Sequence, residues 1–194
     1  MRTNQQDRPG KEACGWIKGD HCGCALKGLT WPFTEFKTLT AQLLHDHILA
    51  YPIENFARFD EASRHVTLSA ALALYDAGIA YAKGKKQNIG ILGTNPDGAL
   101  ISNLAYFEDY LAGGRTLGRA KFFIYTLPSS PLAEAAIHLG LQGPMTYMLA
   151  AKTPRETLWA HAGLLIKNEE VEAMLVISST SEATECRVLT GEYA

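Results

Sequence analysis

The sequence predicts an α/β fold built on a mixed, mostly parallel sheet, and three stretches carry that prediction. Residues 140–179 read as a turn, a short apolar strand, a helix and a second apolar strand. That is a βαβ unit, and its crossover requires parallel strands. Residues 60–82 hold the clearest long helix, with Leu68, Leu72 and Tyr75 at i, i+4 and i+7. Residues 88–93, NIGILG, make a short buried strand. With a first strand over 13–17 and an alternating last strand over 185–190, the order becomes β, long helix, β, helices, β, helix, β, β (βαβαβαββ).

Composition narrows the class. The chain has 194 residues, 47% of them hydrophobic, which is enough for one domain with its own core. Residues 1–12 are polar and read as a disordered tail, leaving 13–194 as that single domain. A formal net charge of −2 argues against a general nucleic-acid binder. No apolar run approaches the roughly 20 residues needed to span a bilayer. The opening MRTNQQDRPGKE lacks the apolar core of a signal peptide, so the cytoplasm is the expected setting.

Taken in order, residues 12–27 are the oddest by composition. Cys14, His21, Cys22 and Cys24 invite a zinc reading, but Cys-x7-Cys-x-Cys is not a tetrahedral-site spacing and no second pair closes a site. Buried free cysteines are the expectation, with no metal and no cofactor. Residues 29–59 look irregular around Trp31-Pro32 and Tyr51-Pro52, with a helix over 38–50. His45 and His47 stand two apart, so a helix points them to different faces and they read as solvated surface. Ala70, Ala71 and Ala73 let the 60–82 helix pack closely, and Gly78 marks its end. Lys83-Gly84-Lys85-Lys86 is a charged loop without P-loop spacing, and residues 93–98 lack the Gly-x-Gly-x-x-Gly pattern. A helix over 99–112 stops at Gly113-Gly114, and another over 131–139 carries His138, read as a surface or helix-end histidine. Met145 opens the strand over 145–150; Thr153 caps the next helix, whose apolar face is Leu158, Ala162, Leu165 and Ile166.

The turn Gly140-Leu141-Gln142-Gly143-Pro144 and the strand and helix behind it resemble the nucleophile segment of the β-ketoacyl synthases, condensing enzymes of the thiolase fold. In that family a Gly-Pro turn leads a strand into an Ala-Cys pair at the N-terminus of a buried helix. Aligned without a gap, the alanine falls on Ala151 and the nucleophile on Lys152, so Ala151, Lys152 and Thr153 are the implied substrate-binding positions. The resemblance also assigns Gly15 and Gly23 to the family's first glycine turns, and 93–98 to the glycine-rich turn after its second strand. It spans residues 13–190 but only the N-terminal half of the family, a thiolase-like half whose sheet is five-stranded and mixed. The other half carries two catalytic histidines and a lysine.

With lysine in place of cysteine, the resemblance implies a non-catalytic accessory subunit of fatty-acid or polyketide-type biosynthesis, similar to the chain length factors, which also lack the cysteine. The alternative is an acyltransferase or condensing activity, of the 3-oxoacyl-acyl-carrier-protein synthase type, formed with a partner chain. A buried helix N-terminus lowers a lysine pKa through the dipole and desolvation, so Lys152 has a route to act as an amine nucleophile. The plainer reading is a lysine that reaches solvent or pairs with Glu156. His161 is too far along the helix to serve as its base. The expected partners are a second copy (a homodimer) or a full-length ketoacyl synthase, and possibly an acyl carrier protein. The reason is that helices on one sheet face alone would leave the other apolar and wet.

Overall fold

A computed structural model describes residues 12–116, 118–149 and 154–191. Its elements are β1 (Cys14–Lys18), β2 (His21–Cys24), β3 (Leu29–Pro32), α1 (Phe36–His45), α2 (Glu61–Asp76), β4 (Ile89–Thr94) and α3 (Leu100–Ala112), followed by α4 (Ala120–Phe123), α5 (Ser130–Leu139), β5 (Met145–Tyr147), α6 (Pro154–Lys167), β6 (Ala173–Ser179) and β7 (Ala183–Thr190). All the strands form one sheet in the order β3-β2-β1-β7-β6-β4-β5. The tail expected over 1–12 lies, apart from Glu12, outside the described residues.

The sheet is mixed, with seven strands rather than five. Parallel pairing is confined to β6-β4-β5, and the other four pairings are antiparallel. The two extra strands come from residues 21–32. Gly19 (φ 55°) and Gly28 (φ 66°) sit in the turns that fold β2 back against β1 and β3 back against β2. Gly15 and Gly23 are therefore strand residues and not turn residues. Gly15 lets β1 approach α2: a Cβ there would lie 2.6 Å from Leu72 Cβ, and closer still to the backbone of Ser69 and Ala73.

Strand alternation sorts the side chains onto two faces. One face carries Ile17, Ile89, Ile91, Leu175, Ile177 and Val188 and packs on α2 and α5. α2 has a run of nine buried residues from Val66 to Leu74, because the sheet lies on one side and α5 on the other. Asp60 caps it, its Oδ1 accepting from the Ser63 N–H at 2.8 Å. At the far end Asp76 is 1% exposed, and its carboxylate accepts the backbone N–H of Cys14, Leu26 and Lys27, each at 2.8 Å. These bonds tie the helix end to β1 and the turn after β2.

The opposite face is not left bare. α6 lays Leu158, Ala162 and Ile166, spaced i, i+4 and i+8, on Leu92, Met174, Val176 and Leu189. Beyond α6 the face turns polar, with Trp16, Lys18, Glu185 and Arg187 alternating on β1 and β7. The expected wet apolar face is thus corrected: helices cover both sides, and the uncovered strip carries charge. Among the described residues no helix is long and apolar enough to cross a membrane.

Candidate functional site

Parallel strands bring their carboxyl ends to one edge of a sheet, and here Thr94, Tyr147 and Ser179 end β4, β5 and β6 there. The connection leaving β4 returns through α5 on the α2 face, while the one leaving β5 runs into α6 on the opposite face. Outgoing connections that part in this way open a crevice at the carboxyl edge, where open α/β sheets bind ligands. The structure has a cleft of about 930 Å3 at this edge. Its walls come from the N-terminus of α2, the first turns of α3, the Lys121–Tyr125 segment and the Ser179–Ser181 turn.

The polar groups around the cleft are held in place. Asp60 Oδ2 accepts from Ser102 Oγ at 2.6 Å, joining the cap of α2 to α3. Arg64 donates to the carbonyls of Phe56 (3.3 Å) and Ala57 (3.0 Å), and its guanidinium lies over the rings of Phe36 and Phe56. Tyr125 donates to Glu134 at 3.1 Å, and burial raises its phenol pKa. His65 packs against Phe33 and Phe36, and burial holds its imidazole pKa below the ordinary value. Among the described residues its Nε2 has no hydrogen-bond partner. Below the cleft, Tyr147 donates to the Asn95 carbonyl at 2.7 Å, and the Asn95 side chain shapes the turn to Gly98.

Ala151, Lys152 and Thr153 lie outside the described residues, between Leu149 and Pro154. The turn that leads toward them is well defined. Gln87 and Ile89 bond to Gly140, Gln142 and Gly143, so residues 140–144 run beside β4 before β5 starts. Gly140 caps α5 in the left-handed region (φ 70°), and a Cβ on Gly143 would meet the Gly90 N at 2.6 Å. Both glycines are there for space and backbone geometry.

The four cysteines are not at the cleft. Cys22 and Cys24 point to the α2 face, while Cys14 and His21, in strand alternation with them, point to the other. Among the described residues no group of three or more His, Cys, Asp or Glu is placed to hold a metal ion. Burial pushes the thiol pKa of Cys14 and Cys22 up to about 11, that of Cys24 to about 12, and that of Cys186 well above its usual value. Such thiols stay protonated at neutral pH and are poor nucleophiles. His45 is exposed beside Asp46 (3.0 Å), as a solvated helix end should be. His138 lies at the helix end, as read, but not at the surface: it is 8% exposed, its ring packed at an angle against those of Tyr51 and Tyr81. Sequence reasoning missed the cleft because its wall residues come from four separated segments. The signal that could have pointed there is Asp60, the acid that opens the helix expected over 60–82.

No family model matches the sequence, and no curated protein matches it either. Solved structures do match in fold. A β-ketoacyl synthase from Burkholderia phymatum superposes with a TM-score of 0.57 at 14% identity, covering 74% of this chain and 45% of that one. A ketosynthase in complex with its chain length factor, from Xenorhabdus doucetiae, gives 0.56 at 14%, covering 92% and 79%. A type II polyketide synthase acyl carrier protein in complex with its ketosynthase gives 0.62 at 10%, covering 94% and 58%. The chain thus spans about half the length of two of these three. The likeness shows the fold: a thiolase-like, ketoacyl-synthase-like α/β architecture.

Proposed function

We propose that this chain, one domain over 13–194, is a ketoacyl-synthase-like accessory subunit of fatty-acid or polyketide-type assembly, resembling the chain length factors. On this reading a full-length ketosynthase supplies the cysteine and histidines of condensation, and an acyl carrier protein delivers the chain being extended. The observation that carries it is chemical. All four cysteines sit buried in β1, β2 and β7 with raised pKa values, so none is available as the condensing thiolate. The gapless register of the Gly140–Pro144 turn supports it by giving the nucleophile position to Lys152. Four free thiols fit a reducing, cytoplasmic setting.

The cleft of about 930 Å3 favours a second reading, in which acyl transfer or condensation occurs at this chain once a partner completes it. Two measurements separate the readings. Affinity capture from the source cell should return a ketosynthase in stoichiometric yield, and the purified chain should not turn over an acyl thioester. An acyl adduct seen by intact mass and lost in Lys152→Ala would overturn the non-catalytic reading in favour of the second.

A further inference from the structure

The two walls of the cleft are anchored very differently. One is the end of α2, which is fixed in the core of the molecule. The other is α3, with α4 and the Ile124–Thr126 turn behind it. From Asn95 to Ser130, Tyr125 is the one buried residue among those described. The packing of α3 is on α4 and on that turn, and neither helix has a buried residue. Yet the two helices are firmly held to each other. Asp109, its side chain only 8% exposed, pairs with Arg119, and its Oδ2 also accepts the Arg119 N–H at 3.4 Å. The Tyr106 ring packs on Phe123 at 5.8 Å, and a Cβ on Gly118 would run into that tyrosine.

This unit joins the rest of the chain at two places that lie side by side. It leaves through Asn95–Gly98. Tyr147 fixes the near end by donating to the Asn95 carbonyl at 2.7 Å, and Gly98 turns in the left-handed region (φ 57°). It returns through Leu127 and Pro128, where Leu127 is extended (ψ 129°). A Cβ on Gly98 would lie 3.7 Å from Pro128 Cγ. Two adjacent single-chain connections define one axis, and a few loop residues of this kind make a hinge. Tyr125, buried and donating to Glu134 at 3.1 Å, pins the return end to α5. Away from the axis, the hydrogen bond from α3 to α2 among the described residues is Ser102 Oγ to Asp60 Oδ2.

We propose that α3, α4 and the Ile124–Thr126 turn form a flap that swings as one piece about Gly98 and Leu127–Pro128, and that the Ser102–Asp60 hydrogen bond is the latch that holds it down on the cleft. The inference rests on the cleft alone and not on the accessory role proposed above. Opening breaks one hydrogen bond and moves Leu100, Ile101 and Phe122 away from Phe59 and Ala62 across the cleft. The contacts inside the flap and inside the body stay as they are. Lids are drawn from such weakly held parts of a fold. Asp60 keeps its cap bond to Ser63 in either position, so the body's half of the latch is preset. An apolar occupant of the cleft would favour the closed form, because closing over it buries Leu100, Ile101 and Phe122.

The test uses the full chain with spin labels on two introduced cysteines, Lys37→Cys on α1 and Asn103→Cys on α3, both exposed. The native thiols are buried, so the label goes to the new ones. The pair should report a closed distance and a longer, open one. Ser102→Ala should raise the ratio of open to closed by at least about 10-fold, as for a lost hydrogen bond to a charged group. A second pair inside the flap, Glu108→Cys with Ala120→Cys, should keep one distance in both backgrounds. In unlabelled chains, Ala62→Cys on the cleft wall should react with a bulky maleimide faster in Ser102→Ala by the same factor. A Lys37–Asn103 distance that Ser102→Ala leaves unaltered would overturn the latch. Spreading of the pair inside the flap would overturn the swing as one piece, and equal maleimide rates would overturn the cover over the cleft. With no ketosynthase and no thioester present, none of these results bears on the accessory role.

Discussion

α2 and α3 are helices of similar length and apolar content that meet opposite fates. α2 has eleven buried residues, caps itself with Asp60 and ends on a carboxylate that takes three backbone N–H groups. α3 has none, turns Ser102 and Asp109 inward, and shows leucine and phenylalanine to solvent. A helix of the first kind is explained by its own chain. The second is not, since an apolar stripe in water gains nothing. The contrast locates where the chain's own packing ends.

The strongest way to break α2's side of the contrast is Gly15→Ala. The added methyl would overlap the backbone of Ser69 and Ala73, and backbone does not swing aside as a flexible side chain can. A loss of about 4 kcal/mol or more is expected, enough to leave much of the chain unfolded. Urea unfolding followed by circular dichroism checks it, and a midpoint equal to wild type would mean that β1 and α2 are not in this contact.

Asp76→Ala comes next. It would strand the N–H groups of Cys14, Leu26 and Lys27, two of them only partly buried, at a cost of roughly 3 kcal/mol. Asp76→Asn, which keeps an acceptor oxygen, should recover part of that loss. Equal destabilisation by the two variants would count against backbone capture as the role of Asp76.

How much of this was legible follows from the same two helices. Leu68, Leu72 and Tyr75 announce α2 because period and packing agree. β4 and β6 are legible for the same reason, as short apolar runs between turns. The pattern also places α3 within a residue of its observed bounds. It cannot say which side faces in, because periodicity measures only that two sides differ. Cys22 and Cys24 alternate as strand residues do, yet their bunching with Cys14 reads first as a cysteine cluster, and so β2 and β3 were missed. The cleft needed four distant segments brought together, which no local spacing encodes.

Acid separates the buried and exposed parts of the molecule more gently. Burial lowers the His138 pKa to about 4, outweighing the attraction of Glu54, while in the unfolded chain the group titrates near 6.5. Between those values the unfolded state binds more protons, so stability is full above about pH 6.5, falls as pH drops, and levels off near pH 4. The span is worth up to about 3 kcal/mol, and the lowered pKa of His65 acts in the same direction. His138→Phe should flatten that limb of the stability curve without moving α3. An unchanged slope would mean that the ring is solvated.

The smallest effect is the most telling for α3. In the isolated chain Leu104 is half exposed, so Leu104→Ala removes little buried surface and should cost under about 0.5 kcal/mol when the protein is dilute. At high concentration the outcome should differ. If α3 is covered by a second copy, the wild-type melting temperature rises with protein concentration, because association stabilises the folded state by mass action. Leu104→Ala should blunt that rise. Two melting series over a wide range of concentration therefore give α3 a stability contribution that no contact within one chain explains. Parallel flat lines would return the stripe to the status of unpartnered surface.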